Sequence, residues 1–186
     1  VCSWDEAFNE ISKNISTLKG SQIASLAIGN SCIESMVALK DLMQNLNVNN
    51  LDCRQEFSSL PIDVEKRSGW LFNPRISSIE IMDSLTIIGS NPRFEAPMLE
   101  ARIRKSWLAS NMTIGRIGGD SKLSYPVLEL GSKTLVLDEI LSGSHDYHNI
   151  LQKSYRPGFI VGEGIINRTD GEALIGKIRE IAEKYN

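Results

Sequence analysis

The sequence predicts an α/β fold: a mostly parallel sheet with helices on both faces, wound in the Rossmann manner. Two observations predict it. Helical and strand-like segments alternate along most of the 186 residues, and the strand-like runs are apolar on both faces instead of alternating. Strands of that kind lie between two helical layers, and parallel neighbours need crossover helices to connect them.

The elements follow in order. Trp4, Phe8, Ile11, Ile15 and Leu18 recur at four- and three-residue steps, the period of one helix face. Ser3 and Glu6 form a capping box ahead of them, and Gly20 is the expected stop. Residues 23–28 read as a short strand ending at Gly29-Asn30. Ser31 and Glu34 repeat the capping box before a helix whose buried side carries Cys32, Met36, Leu39, Met43 and Leu46. Residues 48–53 read as a second short strand. Residues 54–75 have no sustained period and read as a long loop, with Trp70, Leu71 and Phe72 anchored inward.

A short helix at 78–82 precedes 85–88, the most strand-like run of the chain. The turn-rich stretch 89–97 then feeds a helix with Pro97 in its first turn, where a missing N–H costs little. Leu99, Ile103 and Trp107 mark its inner face, and Arg102, Arg104 and Lys105 form a basic cluster on it. We expect this cluster to meet acidic surface, with a solvated basic face as the plainer reading. A strand at 112–117 ends at Gly118-Gly119. Residues 120–132 read as irregular, 134–142 and 147–154 as helices, and 158–161 as a strand. Thr169 and Glu172 are the expected cap of a last helix carrying Leu174, Ile178, Ile181 and Tyr185.

Composition excludes several functions. The chain is 41% hydrophobic and 23% charged, the balance of a globular domain. A net charge of −3 offers no footprint for nucleic acid or anionic lipid. No apolar run approaches the roughly 20 residues of a membrane helix, so direct membrane insertion is not expected. Val1 stands where a Met would open a whole protein, and helical pattern begins at once, so the expectation is a start inside a longer protein. Cys2, Cys32 and Cys53 are too few and too distant for an iron–sulfur cluster within this stretch, which needs about four close thiolates. They also fit a reducing compartment. The Asn-x-Ser/Thr triplets at Asn14, Asn111 and Asn167 are short enough to be coincidence.

Candidate chemistry is sparse. His145 and His148 are spaced to share a metal on a helix, although plain surface histidines explain them better. Gly162-Glu163-Gly164 lacks the third glycine of a dinucleotide fingerprint and reads as a strand-to-helix turn. The strongest candidate is the loop of Gly89, Ser90, Asn91, Pro92 and Arg93. Backbone N–H groups after a buried strand, with a helix amino terminus and an Arg fork, suit a phosphate or carboxylate. The alternative is that Glu95 and Glu100 already occupy the positive helix end while Arg93 makes an internal or interface ion pair.

The run Gly89-Ser90-Asn91-Pro92-Arg93-Phe94-Glu95-Ala96-Pro97, continuing through Glu100-Ala101-Arg102-Ile103-Arg104-Lys105-Ser106-Trp107-Leu108, is highly specific. It closely resembles the family of the largest peripheral-arm subunit of NADH–quinone oxidoreductase, respiratory complex I. Met36-Val37-Ala38-Leu39-Lys40-Asp41-Leu42, Arg75-Ile76 and Asn167-Arg168-Thr169-Asp170-Gly171 fit the same family. Ser3-Trp4-Asp5-Glu6-Ala7 resembles the opening of the wider molybdopterin-oxidoreductase superfamily. The likeness covers most of the chain. It implies one stretch, 1–186, of a molybdopterin-oxidoreductase-type domain, with sub-units 1–53 and 76–186 joined by the loop 54–75. In the superfamily the G-S-N-P loop supports a bis-pterin molybdenum or tungsten centre, which maps here onto Gly89, Ser90, Asn91 and Pro92.

Two departures speak against that chemistry here. After Asn50-Leu51-Asp52 only Cys53 could serve as a metal ligand, and it comes early. Gly118-Gly119-Asp120 stands where relatives carry a D-P-R-type turn. The resemblance therefore implies a non-catalytic structural segment of a proton-translocating NADH:quinone oxidoreductase. It implies no cofactor in this segment and a vestigial loop at Gly89–Arg93. The 2Fe-2S and 4Fe-4S clusters would lie upstream of Val1. The implied partners are other peripheral-arm subunits and the iron–sulfur part of the same polypeptide. The implied location is the cytoplasmic face of a bacterial inner membrane, or the matrix side of the mitochondrial one. An anion- or nucleotide-binding module and an active molybdopterin oxidoreductase fragment are the alternatives.

Overall fold

A computed structural model describes residues 1–29, 31–53, 71–119 and 122–185. Trp70, the rest of 54–70 and Asp120 lie outside the described residues. The chain divides into two compact units, Val1–Glu56 and Phe57–Asn186.

In the first unit, α1 (Trp4–Ile15) starts at Ser3. The capping box forms: the Ser3 N–H donates to Glu6 at 2.7 Å, and the Glu6 N–H donates to Ser3 Oγ at 3.3 Å. The helix ends at Ile15, ahead of the expected stop, and Gly20 instead opens a 3₁₀ turn, Gly20–Gln22. A side chain at Gly20 would strike the Asn47 carbonyl oxygen, at 2.1 Å from its Cβ, so this glycine answers a close approach. Strand β1 (Ala24–Leu26), α2 (Ile33–Asn45) and β2 (Asn50–Asp52) make a parallel β-α-β unit, with Ser25 opposite Leu51. The expected Ser31–Glu34 box does not form. Cys32 is the cap residue of α2, and its Sγ lies 3.1 Å from Ser35 Oγ. Cys32 is exposed, whereas Met36, Leu39 and Leu46 are half-buried and Met43 is buried.

The second unit holds a four-stranded parallel sheet in the order β5-β4-β3-β6. A 3₁₀ helix, Ile76–Ile81, leads into β3 (Ser84–Ile88), which is buried throughout. The turn α3 (Pro92–Glu95) and α4 (Pro97–Ser110) follow. Asn111 closes α4 in the left-handed region at φ 52°, and β4 (Thr113–Ile117) pairs with β3. Strand β5 (Leu128–Gly131) corrects the expectation of irregular chain over 120–132. Only Leu130 of it is buried, so its sequence carries no continuous apolar run to announce it. Helices α5 (Leu135–Ser142) and α6 (Tyr147–Lys153) then lead across the sheet to β6 (Pro157–Val161) on the far side of β3. The short α7 (Glu163–Ile166) and α8 (Gly171–Lys184) finish the unit.

The pleat of β3 sends its side chains to two cores. Leu85 and Ile87 pack with Ile79, Ile103 and Ile114 on the α4 side. Ile88 packs with Leu137, Ile140, Leu151, Ile178 and Ile181 on the other. Thr86 reaches α6 through Tyr147, whose hydroxyl lies 3.1 Å from Thr86 Oγ1. The ring sits over Gly115, where an added Cβ would come within 2.6 Å of it. The predicted α/β class, with a parallel sheet between helical layers, is what the structure shows.

Two local expectations are corrected. Leu71 and Phe72 are not anchored inward: they are 39% and 48% exposed. The last helix is capped by Asp170, whose carboxylate makes no cap hydrogen bond because Arg168 holds it at 2.6 and 2.7 Å. Leu174, Ile178, Ile181 and Tyr185 are buried as their spacing predicts.

Candidate functional site

Strand order places the candidate site. β3 leaves its last residue between neighbours whose connections run in opposite directions, and such a switch point opens a crevice at the strand carboxyl ends. A cleft of about 510 Å³ lies there. It is lined by Gly89, Ser90, Asn91 and Glu95 after β3, by Arg116 to Gly119 at the end of β4, and by Glu163, Gly164 and Arg168 after β6. A larger hollow of about 550 Å³ runs along β6 and α8, but its walls are mainly apolar, including Phe159, Val161 and Ile175. Asn73 and Arg179, whose Nε is buried and unpaired among the described residues, are its only polar side chains, whereas the cleft gathers several at the strand ends, so position and chemistry favour the cleft.

Four glycine N–H groups around the cleft are already committed. The N–H of Gly89 donates to Ile117 O at 2.9 Å, and that of Gly118 to Gly131 O at 3.0 Å. The N–H of Gly162 donates to Ile88 O at 3.0 Å, and that of Gly164 to Gly89 O at 2.9 Å. Gly89 has φ 58°, which favours glycine, and a Cβ on it would lie 2.8 Å from Ile165 Cγ1. At Gly162 a Cβ would meet Ser90 Cβ at 2.4 Å. These glycines let two turns pack on each other; their N–H groups do not form an open nest.

Several of its side chains are committed too. Glu95 reaches back over the loop, taking the Ser90 hydroxyl at 3.0 Å and the Asn91 N–H at 2.5 Å. Arg116 is buried in β4, and its Nε donates to Glu129 of β5 at 3.0 Å, with a second contact from Nη2 to the same carboxylate. Arg168 is held bidentately by Asp170, whose carboxyl is pushed below the usual range by that pairing. Asn91 Oδ1 is the one cleft acceptor that is buried and unpaired among the described residues.

The structure brings Gly89, Ser90 and Asn91 to the cleft, buries Pro92 as the first residue of α3, and turns Arg93 elsewhere. Arg93 Nη1 donates to Lys122 O at 3.1 Å, a backbone contact in place of either an anion clamp or an ion pair. Glu100 is buried and accepts from Ser124 Oγ at 3.1 Å and Tyr125 OH at 2.5 Å. Burial, reinforced by Glu100, pushes the Tyr125 phenol well above its ordinary range. The basic cluster is partly spent inside its own unit, since Arg102 and Lys105 both contact Glu80.

The histidines serve separate ties. The Tyr147 N–H donates to His145 Nδ1 at 3.1 Å, which leaves Nε2 to donate to Leu130 O at 3.2 Å. His148 Nδ1 contacts the Tyr185 hydroxyl, which donates onward to Ile140 O at 2.9 Å. Among the described residues, no group of three or more His, Cys, Asp or Glu could hold a metal ion. Cys53 belongs to the first unit and is exposed, and its N–H donates to the Asp52 carboxylate at 2.8 Å.

Sequence reading missed Arg116 and Glu129. A buried charged residue demands a partner, but that partner, the exposed Glu129, sits on the strand read as irregular.

Residues 1–186 match the molybdopterin oxidoreductase family along their whole length. The chain belongs to that family. Its curated relatives include the NADH-quinone oxidoreductase G subunits of Rickettsia conorii and of Rickettsia bellii, each 34% identical over 99% of this chain. The G subunit of Rickettsia prowazekii is 33% identical over the same share. The family member described here spans 27% of the length of each of these relatives. A formyltransferase/hydrolase complex from Methylorubrum extorquens, solved with methylofuran, shares the fold: the TM-score is 0.68 at 17% identity, over 98% of this chain and 56% of that one. The resemblance carried by 89–108 is therefore borne out by the relatives as well as by the family.

The family's pterin cofactor can be tested against these residues, and they do not fit it. A phosphate-bearing group needs open donors, whereas here the N–H groups of Gly89, Gly118, Gly162 and Gly164 stay in the protein and Glu95 brings negative charge to the turn.

Proposed function

We propose that this family member is a non-redox structural part of the G subunit of complex I. Its role would be to support NADH-to-quinone electron transfer by holding the geometry of the polypeptide around it. The observation that carries the reading is Glu95. Its two carboxylate oxygens take the loop's Ser90 hydroxyl and Asn91 N–H, the donors that a bound anion would use. The loop Gly89–Arg93 is on this reading vestigial, kept because its turns close the sheet. The relatives' name supplies the assembly, and their greater length leaves room for the redox parts.

In the full-length protein the 2Fe-2S and 4Fe-4S clusters would lie outside this chain, upstream of Val1. Neighbouring peripheral-arm subunits and the iron–sulfur part of the same polypeptide would be its contacts. The protein would sit peripherally on the cytoplasmic face of a bacterial inner membrane, or on its mitochondrial counterpart. No helix among the described residues is long and apolar enough to cross a membrane.

The test is elemental and pterin analysis of the purified full-length protein. Iron without stoichiometric molybdenum, tungsten or pterin is expected. One molybdenum or tungsten with pterin per polypeptide would overturn the reading.

A further inference from the structure

Helix α4 has two apolar faces, and only one of them is covered. Leu99, Ile103 and Trp107 face the sheet, with Ile103 fully buried. On the opposite side, Met98, Ala101, Lys105 and Leu108 follow one another at three- and four-residue steps, so they form a single outward stripe about 15 Å long. Met98 is 77% exposed and Leu108 61%, and Phe94 in the preceding turn is 79% exposed. A helix apolar on two sides is ordinarily covered on both. The small side chains at Ala101 and Ala109 leave a shallow hollow of about 410 Å³ beside Leu108, bordered by Arg104 and Lys105. Such a hollow suits a ridge of another helix.

Charge narrows the occupant. Arg102 and Lys105 share one carboxylate, Glu80, and Arg104 makes no ion pair or hydrogen bond among the described residues. Two cations therefore share one half-buried carboxylate and a third stands apart, so the stripe has a positive margin.

We infer that the outer face of α4 is a docking surface for an amphipathic helix of a neighbouring subunit, whose apolar stripe is flanked by carboxylates, one of them opposite Arg104. The inference rests on the scaffold reading only in that it requires neighbours. Pterin in the cleft would defeat that reading and leave this surface untouched.

The test uses the full-length protein in its native assembly, with a photo-crosslinking phenylalanine analogue at position 108 and, as control, at exposed Glu172. Crosslinked peptides sequenced by mass spectrometry should come from another subunit and show apolar residues at three- and four-residue steps with adjacent Asp or Glu. Arg104→Glu should lower the yield at 108 by roughly tenfold, and Arg104→Lys should largely preserve it. Met98→Glu with Leu108→Glu, both at exposed sites, should leave the circular dichroism of the purified protein unchanged and reduce its incorporation severalfold or more. The inference is overturned by crosslinks no stronger than the control, by crosslinks within the same polypeptide or to a second copy, by a target without carboxylates, or by unchanged incorporation of the double variant.

Discussion

The two units solve the same problem with unequal means. Both pair parallel strands through a helix, yet Val1–Glu56 buries only Met43 and Val48 among its described apolar side chains. It leaves Trp4, Phe8, Ile11, Ile33 and Leu51 exposed. The unit Phe57–Asn186 instead encloses a four-stranded sheet between two cores, with Leu85, Ile87 and Ile88 at 1% exposure or less. Two strands and one crossover bury too little apolar surface to offset chain entropy, whereas four strands covered on both faces do. The lesson is that a regular local pattern announces a helix without saying whether its face is covered within its own unit.

That contrast can be broken by substitution, and the largest effect should be in the second unit. Ile87→Ala removes a side chain with no exposure from the middle of β3 and should cost about 2–5 kcal/mol in urea unfolding. Next comes Gly115→Ala, which forces the Tyr147 ring to move and should cost about 1–3 kcal/mol. If Tyr147 is the obstacle, pairing it with Tyr147→Leu should recover part of that loss. Full additivity of the two would show that it is not.

Asp83 allows a pH test. Burial works against its charge, but the N–H groups of Tyr155 at 2.7 Å and Arg156 at 3.1 Å outweigh it, so its carboxyl lies below the usual range. A depressed folded-state value means stability present above the unfolded value of about 3.9 and lost as pH falls through the folded one. Asp83→Asn should therefore flatten the acid limb of the urea midpoint below about pH 4. At neutral pH it should cost only about 1 kcal/mol, because the site is exposed. An unchanged acid limb would place the titration elsewhere.

In the first unit, Ser3→Ala removes the cap and should lower the helicity of α1 at a cost of about 0.5–1 kcal/mol. Phe8→Ala, at an exposed position on the same helix, should fall within about 0.5 kcal/mol in this chain. A loss near that of Ile87→Ala would erase the contrast between the units.

Sequence made the second unit's sheet legible because β3 is a nearly continuous apolar run at 85–88 and β4 carries Ile114 and Ile117 on either side of Gly115-Arg116 before the Gly118-Gly119 stop. It hid β5, where a single buried residue, Leu130, leaves no period to read. Capping boxes succeeded at Ser3, where the side chains are free to pair, and failed at the last helix, where Arg168 takes Asp170. For the site, the position of the 89–97 loop was legible from the strand before it. What the loop does with its donors was not, since Glu95 lies four residues from Asn91 and only geometry shows its carboxylate folding back. Nor could one strand's sequence show that Arg116 meets Glu129 across the sheet.

The most direct measurement is the melting temperature of the full-length protein, titrated with guanosine diphosphate and, separately, with inorganic pyrophosphate to 1 mM. A ligand held at about 10 μM would add about 2.7 kcal/mol at that concentration, an easily seen rise. With the Ser90 hydroxyl and Asn91 N–H on Glu95 and four glycine N–H groups on neighbouring carbonyls, the expected result is no shift with either compound. A saturable rise, abolished by substitution at Asn91 and absent from a control with chloride at equal ionic strength, would contradict the account.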